Sequence, residues 1–388
     1  MKKIFKSLLL VGLFFVVGCG KSDSNILDKL MDELEKANSY YIVGNMEIIN
    51  NEDTYTYEVE VSYQKGDYYK IDLINTLNNH EQVILRNDDG VYVITPSLNK
   101  SYKFQSDWPY NNSQVYLLSS VYDDLSLDED RTFESKGNGY VFTSLVNYPN
   151  NKALVKQNVY VDKDLNVTKV EVVDKDGKVQ ISMTYKSIEF NKKFDKEYFE
   201  LSSILKISEN NSNDSEKNTT NSNENNNTNN NSNSDSSSNS NENSNTNTNN
   251  NENSNNTSNN DNKSTEKENN TKTTATIDDI IYPMYLPTNT YLANQQTIDT
   301  DNGQRLILTF DGDSSFILVE ETITYDSNGL VIPVSGDIEF LTDVLGVVST
   351  NSVMWDSNGI EYYIVSDTIP TSELVEIAQS ISVLPVSK

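Results

Sequence analysis

His80 and Cys19 are the only histidine and the only cysteine in this 388-residue chain, so any chemistry built on those residue types has to use these two. A Ser-His-Asp triad, a histidine zinc site or a histidine general base would each fall on His80, which sits in the turn-like stretch Asn78-Asn79-His80. A lone imidazole without an orienting partner does not make a catalytic set. The sequence carries no GxSxG elbow, no phosphate-binding glycine loop and no dinucleotide fingerprint. Acid pairs at Asp299, Asp301 and Asn302, and at Asp311 with Asp313, raise calcium, which takes clustered oxygen ligands. The first run reaches Gly303 one residue too early for an EF-hand loop and lacks its distant glutamate, so it reads as a hairpin turn. Nothing marks a cleft for paired-carboxylate glycoside hydrolysis. No catalytic residue, metal ligand or cofactor is expected.

Cys19 points elsewhere. Lys2, Lys3 and Lys6 precede an unbroken apolar run over residues 8–17, the charge-then-apolar order of a secretion signal. As a helix that run reaches about 15 Å, half of a bilayer core of roughly 30 Å, so it reads as a removed leader. The residues that follow, Val16, Val17, Gly18, Cys19 and Gly20, resemble a bacterial lipobox. That resemblance implies a diacylglyceryl group on Cys19 and a mature chain beginning there. Two acyl chains, at about 0.8 kcal/mol per buried CH₂, hold a protein on a membrane where one does not. The expectation is a signal peptide over residues 1–18, an acylated cysteine and spacer over 19–25, and a protein held at the extracytoplasmic face of the cell membrane.

A formal charge of −28 argues against nucleic acid and against broad contact with anionic headgroups. The charge is uneven: residues 20–206 hold 31 acids and 21 bases, residues 207–273 hold 10 and 4, and residues 274–388 hold 17 and 2. Residues 207–273 are nearly all Asn, Ser, Thr, Glu and Lys, with no apolar periodicity to offset ordering entropy. They read as a disordered linker that separates its ends by about 45 Å. Folded domains over 26–206 and 274–388 flank it, and neither needs the other.

The first domain opens on a helix, with Leu27, Leu30, Met31 and Leu34 at helical spacing, Ser24 or Asn25 as the N-cap, and Asp28, Asp32, Glu33 and Glu35 toward water. The period then changes to two. Tyr55, Tyr57, Val59, Val61 and Tyr63 alternate with polar residues, and further alternation is read at Tyr69, Ile71 and Leu73, and at Val91 and Val93. Turns at Asp89-Gly90, Asn138-Gly139 and Asp176-Gly177 make an antiparallel meander. A second helix carrying Val115, Leu118, Tyr122 and Leu125 follows Trp108-Pro109-Tyr110 and lies across the sheet. The apolar face has two readings. It is ordinary core, or it lines a hollow whose candidate ligand-binding residues are Tyr55, Tyr57, Val59, Val61, Tyr63, Ile71, Leu73 and Trp108.

The second domain has strands around 305–310 and 315–324, hairpin turns at Asp326-Ser327-Asn328-Gly329 and Asp356-Ser357-Asn358-Gly359, and a closing helix capped by Thr371 with Leu374, Ile377, Ala378 and Ile381 as its buried stripe.

The amphipathic helix, the tyrosine-rich strands, the run NHEQVILRNDDGVYVITPSLNKSYKFQSDWPYNNSQVYLL over residues 79–118 and the closing FDKEYFEL over 194–201 resemble the LolA-like lipoproteins of Gram-positive spore formers, relatives of RseB/MucB and GerS. The resemblance implies a half-open antiparallel β-barrel with helices, whose hollow holds acyl chains or a partner's segment. Tyr282-Pro283, Leu286-Pro287, LILTFDGDSSFILVEET, Met354-Trp355 and the closing helix resemble the DUF4367 family, which implies a small C-terminal α+β domain. The long Asn-rich linker departs from the two-domain layout of RseB and puts a fixed interface between the domains in doubt.

The fold class is therefore α+β. The leading functional expectation is a lipid-anchored carrier or sensor that binds a lipid or acylated ligand in the hollow. The other is a protein-interaction regulator in sporulation, germination or envelope stress that docks a cell-wall hydrolase or signalling partner. By charge complementarity, a partner of the acidic C-terminal domain is basic or cationic.

Overall fold

In a computed structural model, the described residues are 23–50, 53–206, 275–277, 279–301 and 303–381. The leader, Cys19 and the linker expected over 207–273 lie outside them. Helix α1 (Asp23–Lys36) buries Ile26, Leu27 and Leu30 and half-buries Met31 and Leu34, while Asp28, Asp32, Glu33 and Glu35 face water. Ser24 and Asn25, read as alternative caps, both lie within the helix.

Strands β1 (Ser39–Asn50), β2 (Asp53–Gln64), β3 (Tyr68–Asn75), β4 (Glu81–Asn87), β5 (Gly90–Thr95) and β6 (Lys100–Phe104) precede α2 (Leu118–Leu127), and β7 (Thr132–Lys136), β8 (Gly139–Leu145), β9 (Lys156–Asp162), β10 (Val167–Val173) and β11 (Val179–Phe190) follow it. β1 is the keel of the sheet: the β2-to-β6 meander runs out from one edge, and β11 back to β7 from the other. The two outer ends are not joined to each other, so the sheet is half-open. The β1–β11 register shifts between Val43, opposite Ser187, and Gly44, opposite Tyr185, leaving Lys186 as the extra residue on β11. A Cβ on Gly44 would lie 2.5 Å from the Thr184 carbonyl oxygen, so only glycine permits that approach.

Both helices pack on the concave side, with Leu118, Val121, Tyr122 and Leu125 of α2 in the core. The chain after β11 crosses the convex side, where Phe199 and Leu205 bury Val83, Leu85, Tyr92 and Ile94. That explains why β4 and β5 read as continuous apolar runs: both of their faces are covered.

The C-terminal part contains β12 (Thr290–Thr300), β13 (Gly303–Gly312), β14 (Phe316–Thr322), β15 (Leu330–Val334), β16 (Asp337–Phe340), β17 (Leu345–Val348), β18 (Ser352–Ser357), β19 (Ile360–Val365) and α3 (Thr371–Gln379). Seven of these strands form a second sheet in the order β12-β13-β14-β19-β18-β17-β16. Its core stacks Phe310 on Phe316 at 4.4 Å and Trp355 on Tyr362 at 5.0 Å, beneath Leu374, Ile377 and Ala378 of α3. The Asp356–Gly359 turn joins β18 to β19 as a hairpin, and Thr300 pairs with Gly303 at the β12–β13 turn.

Three expectations fail here. The Asp326–Gly329 turn makes no hairpin: β15 leaves the second sheet and pairs in parallel with β6, Leu330 opposite Lys100 and Val334 opposite Phe104. Backbone ties from Asp326 to Leu98 and from Leu330 to Asn99 direct it there. Thr371 is the first helical residue and not the cap; its hydroxyl donates to the Thr350 carbonyl at 2.6 Å, and Pro370 holds the cap position. Finally, the two folded parts share one core. Ile338, Leu345 and Val347 are buried in the same cluster as Val59 and Ile71. A long tether between two segments has no bearing on whether their surfaces match, which is set by apolar burial.

Candidate binding site on the concave face

The structure brings all eight expected hollow residues together on the concave face. Val59, Val61, Ile71 and Trp108 are fully buried, Tyr55, Tyr57 and Leu73 nearly so, and Tyr63 is half-buried. β2 and β3 place them there because alternate residues point to one face, with Val59 opposite Leu73 and Val61 opposite Ile71.

The trough has two ends with different fates. At the Tyr55–Tyr57 end, the connection from β16 to β17 lies over the sheet. The Phe340 ring meets Tyr57 edge-on at 6.0 Å and Tyr116 at 6.2 Å. The Tyr57 hydroxyl donates to the Thr342 carbonyl at 2.9 Å, and Asn75 Nδ2 donates to the Asp343 carbonyl at 3.3 Å. Gln82 holds both main-chain groups of Leu345, accepting from its N–H at 2.6 Å and donating to its carbonyl at 3.3 Å. Asn150 Nδ2 donates to Glu339 Oε1 at 2.9 Å. Burial pushes the Glu339 carboxyl up to about 7 and that of Asp343 to about 6.

At the other end a pocket of about 360 Å³ stays open, lined by Met31, Leu34, Tyr40, Tyr63, Tyr69 and Tyr122 among others. Its floor is a run of rings: Tyr40 stacks on Tyr63 at 4.8 Å, Tyr63 meets Tyr69 at 4.9 Å, and Tyr69 meets Trp108 edge-on at 5.7 Å. Cross-strand pairing assembles it, since Tyr63 of β2 faces both Tyr40 of β1 and Tyr69 of β3. Tyr110 closes one side, its hydroxyl donating to Asp67 at 2.7 Å and its ring beneath the Arg86 guanidinium at 5.4 Å. Burial raises the hydroxyls of Tyr40, Tyr63, Tyr69, Tyr110 and Tyr122, so all five stay protonated. The Tyr40 hydroxyl lies beside Ser119 in the pocket lining, while Trp108 Nε1 is buried next to Tyr116, beneath the rings and outside that lining. Aromatic rings bordered by Glu35, Lys65, Ser119 and Asp123 suit a ligand that is mostly apolar and carries one polar end.

Tyr40, Tyr69, Tyr110 and Tyr122 were not among the expected hollow residues. The signal for Tyr40 and Tyr69 lay in the hairpin register, which follows once a two-strand pairing through Tyr63 is drawn. His80 lies in the β3–β4 turn, where burial lowers its pKa and Nε2 has no partner. Among the described residues, no group of three or more His, Cys, Asp or Glu is placed to hold a metal ion.

A buried charge cluster ties β6 to the second sheet. Lys100 Nζ lies 3.2 Å from Asp356 Oδ1 and also bonds Glu361, while the Tyr102 hydroxyl donates to Asp356 at 2.9 Å and Glu361 at 2.7 Å. Burial pushes Asp356 up to about 6, against the pull of Lys100.

Residues 1–199 match the family described as sporulation protein YdcC-like. The chain belongs to that family. A curated relative, the sporulation protein YdcC of Bacillus subtilis, is 32% identical over 390 residues that cover 98% of each chain. The chain also aligns with solved structures at low identity and low TM-score. The Pseudomonas aeruginosa MucA/MucB complex aligns over 90% of this chain and 97% of that one at 9% identity and a TM-score of 0.29. A complex of the CwlD amidase with the GerS lipoprotein from Clostridioides difficile aligns over 44% and 96% at 20% identity and 0.27. A putative outer membrane lipoprotein-sorting protein domain from Vibrio parahaemolyticus aligns over 46% and 96% at 16% identity and 0.29. Among the described residues, no helix of this family member is long and apolar enough to cross a membrane.

Proposed function

We propose that this chain is a lipid-anchored binding protein of sporulation that takes one apolar group into the tyrosine-lined pocket, acting as a carrier or sensor. The observation that carries the reading is the open 360 Å³ end of a trough whose other end is covered. That volume is at the small end of ligand sites. It suits one acyl chain, or the apolar anchor of a lipoprotein segment, better than a whole diacyl lipid. Anchoring through Cys19 would keep the pocket near the membrane from which such a group comes. The process is supported by the near full-length relative named for sporulation. Native mass spectrometry of the protein produced without its leader tests the reading. A co-purified acyl species lost in a pocket-filling variant supports it, and an unliganded protein that takes up no fatty acid or acylated peptide removes it.

A second reading, docking of a protein partner, is favoured by the one-sided charge of residues 274–388, which hold 17 acids and 2 bases. The acidic C-terminal part would then select a basic partner. Capture from sporulating membranes with and without 0.5 M salt separates the two, since a basic partner is released by salt.

A further inference from the structure

β12 is the outermost strand of the second sheet and pairs with β13 alone. Residues 291–299 are exposed along its whole length, so both faces and the free edge of the strand meet solvent. Tyr291 is 57% exposed and Leu292 40%. Native edges are blunted by lysine, proline or an inward charge, because a free row of N–H and C=O groups templates another strand. The sequence TYLANQQTIDT has neither lysine nor proline, its one charge, Asp299, lies near one end, and its single bulge, between Leu292 and Asn294, lies near the other.

The stretch is also electrically distinct. From Ile280 to Ile298 there is no charged residue, in a chain of formal charge −28 whose residues 274–388 hold 17 acids and 2 bases. A basic partner would be met by acids, and this edge offers none over its centre. Two copies of this acidic chain repel over most of their surfaces, and approach costs least where charge is missing. After the bulge, Asn294 to Thr300 pair regularly with Thr309 to Gly303, leaving about 20 Å of uninterrupted edge at some 3.3 Å per residue.

We propose that β12 is a self-association edge: two copies of this chain pair their β12 strands antiparallel about a two-fold axis at Gln296, which faces its own counterpart, fusing their second sheets into one. The interface is isologous, so a charge placed at Gln296 in every copy comes up against its like across the axis.

Sedimentation of the full-length chain in detergent, over a range of concentrations, reads this directly. The native chain should show a concentration-dependent dimer. Gln296→Glu and Gln296→Lys should each raise the dissociation constant at least tenfold with an unchanged melting curve, since the side chain is exposed. An equimolar mixture of the two variants should recover the dimer, because unlike charges then meet across the axis. A native chain that stays monomeric at every concentration overturns the proposal. So does a dimer equally strong in both variants, or a mixture no better than its components.

Discussion

The Tyr57 hydroxyl donates to the Thr342 carbonyl oxygen at 2.9 Å across 285 residues of sequence, in a buried position on the concave face. With Gln82 gripping Leu345 and Phe340 seated between Tyr57 and Tyr116, it makes the C-terminal part a structural cover for one end of the trough.

Phe340→Ala should therefore weaken the whole molecule and not the second sheet alone. A half-buried ring in a shared core is worth about 2 kcal/mol, below the 3–5 of a fully buried one. Urea unfolding followed by tyrosine fluorescence and by far-UV dichroism should give one coincident transition, shifted to lower urea. Two separated transitions in the native chain would count against a shared core.

The covered end is sensitive to pH in an unusual direction. Glu339 and Asp343 titrate near 7 and 6 in the folded protein, above their unfolded values near 4. The folded state holds more protons, so the stabilisation from these groups is full below about pH 4 and is lost as pH rises to about 7. Glu339→Gln should gain about 2 kcal/mol over the native chain at pH 8 and little at pH 4. Denaturant melts at the two pH values measure it, and equal differences at both would refute the assignment.

Met31→Trp places a larger side chain from α1 into the open pocket, where the native residue is half-buried and free to be enlarged. Uptake of a fluorescent apolar probe such as N-phenylnaphthylamine should fall at least tenfold, with melting unchanged within a few degrees. Undiminished uptake would place the probe elsewhere.

Lys100→Met should cost about 3–5 kcal/mol, because it strips the cation from Asp356, whose carboxylate is buried. Adding Asp356→Leu should recover most of that loss, which a thermal denaturation cycle of the two single variants and the double variant resolves. A double variant as unstable as the single would mean that the cluster acts by packing and not by charge.

Period-two alternation at Tyr55, Tyr57 and Val59, the helical stripe of α1 and the Asp356–Gly359 hairpin were legible because each is set by neighbours within a few residues. So was the apolar character of the concave face. The same patterns placed a hairpin at Asp326–Gly329 and missed that β15 crosses to β6, since a turn states where the chain reverses and not which strand receives it.

Which of the tyrosines would be core and which pocket was decided at long range. Tyr57 and Tyr63 sit on one strand, on one face, with the same side chain, yet one lies beneath Phe340 and the other borders open space. Short-range alternation assigns a residue to a face; what lies on that face depends on segments hundreds of residues away, brought there by the burial of Ile338, Leu345 and Val347.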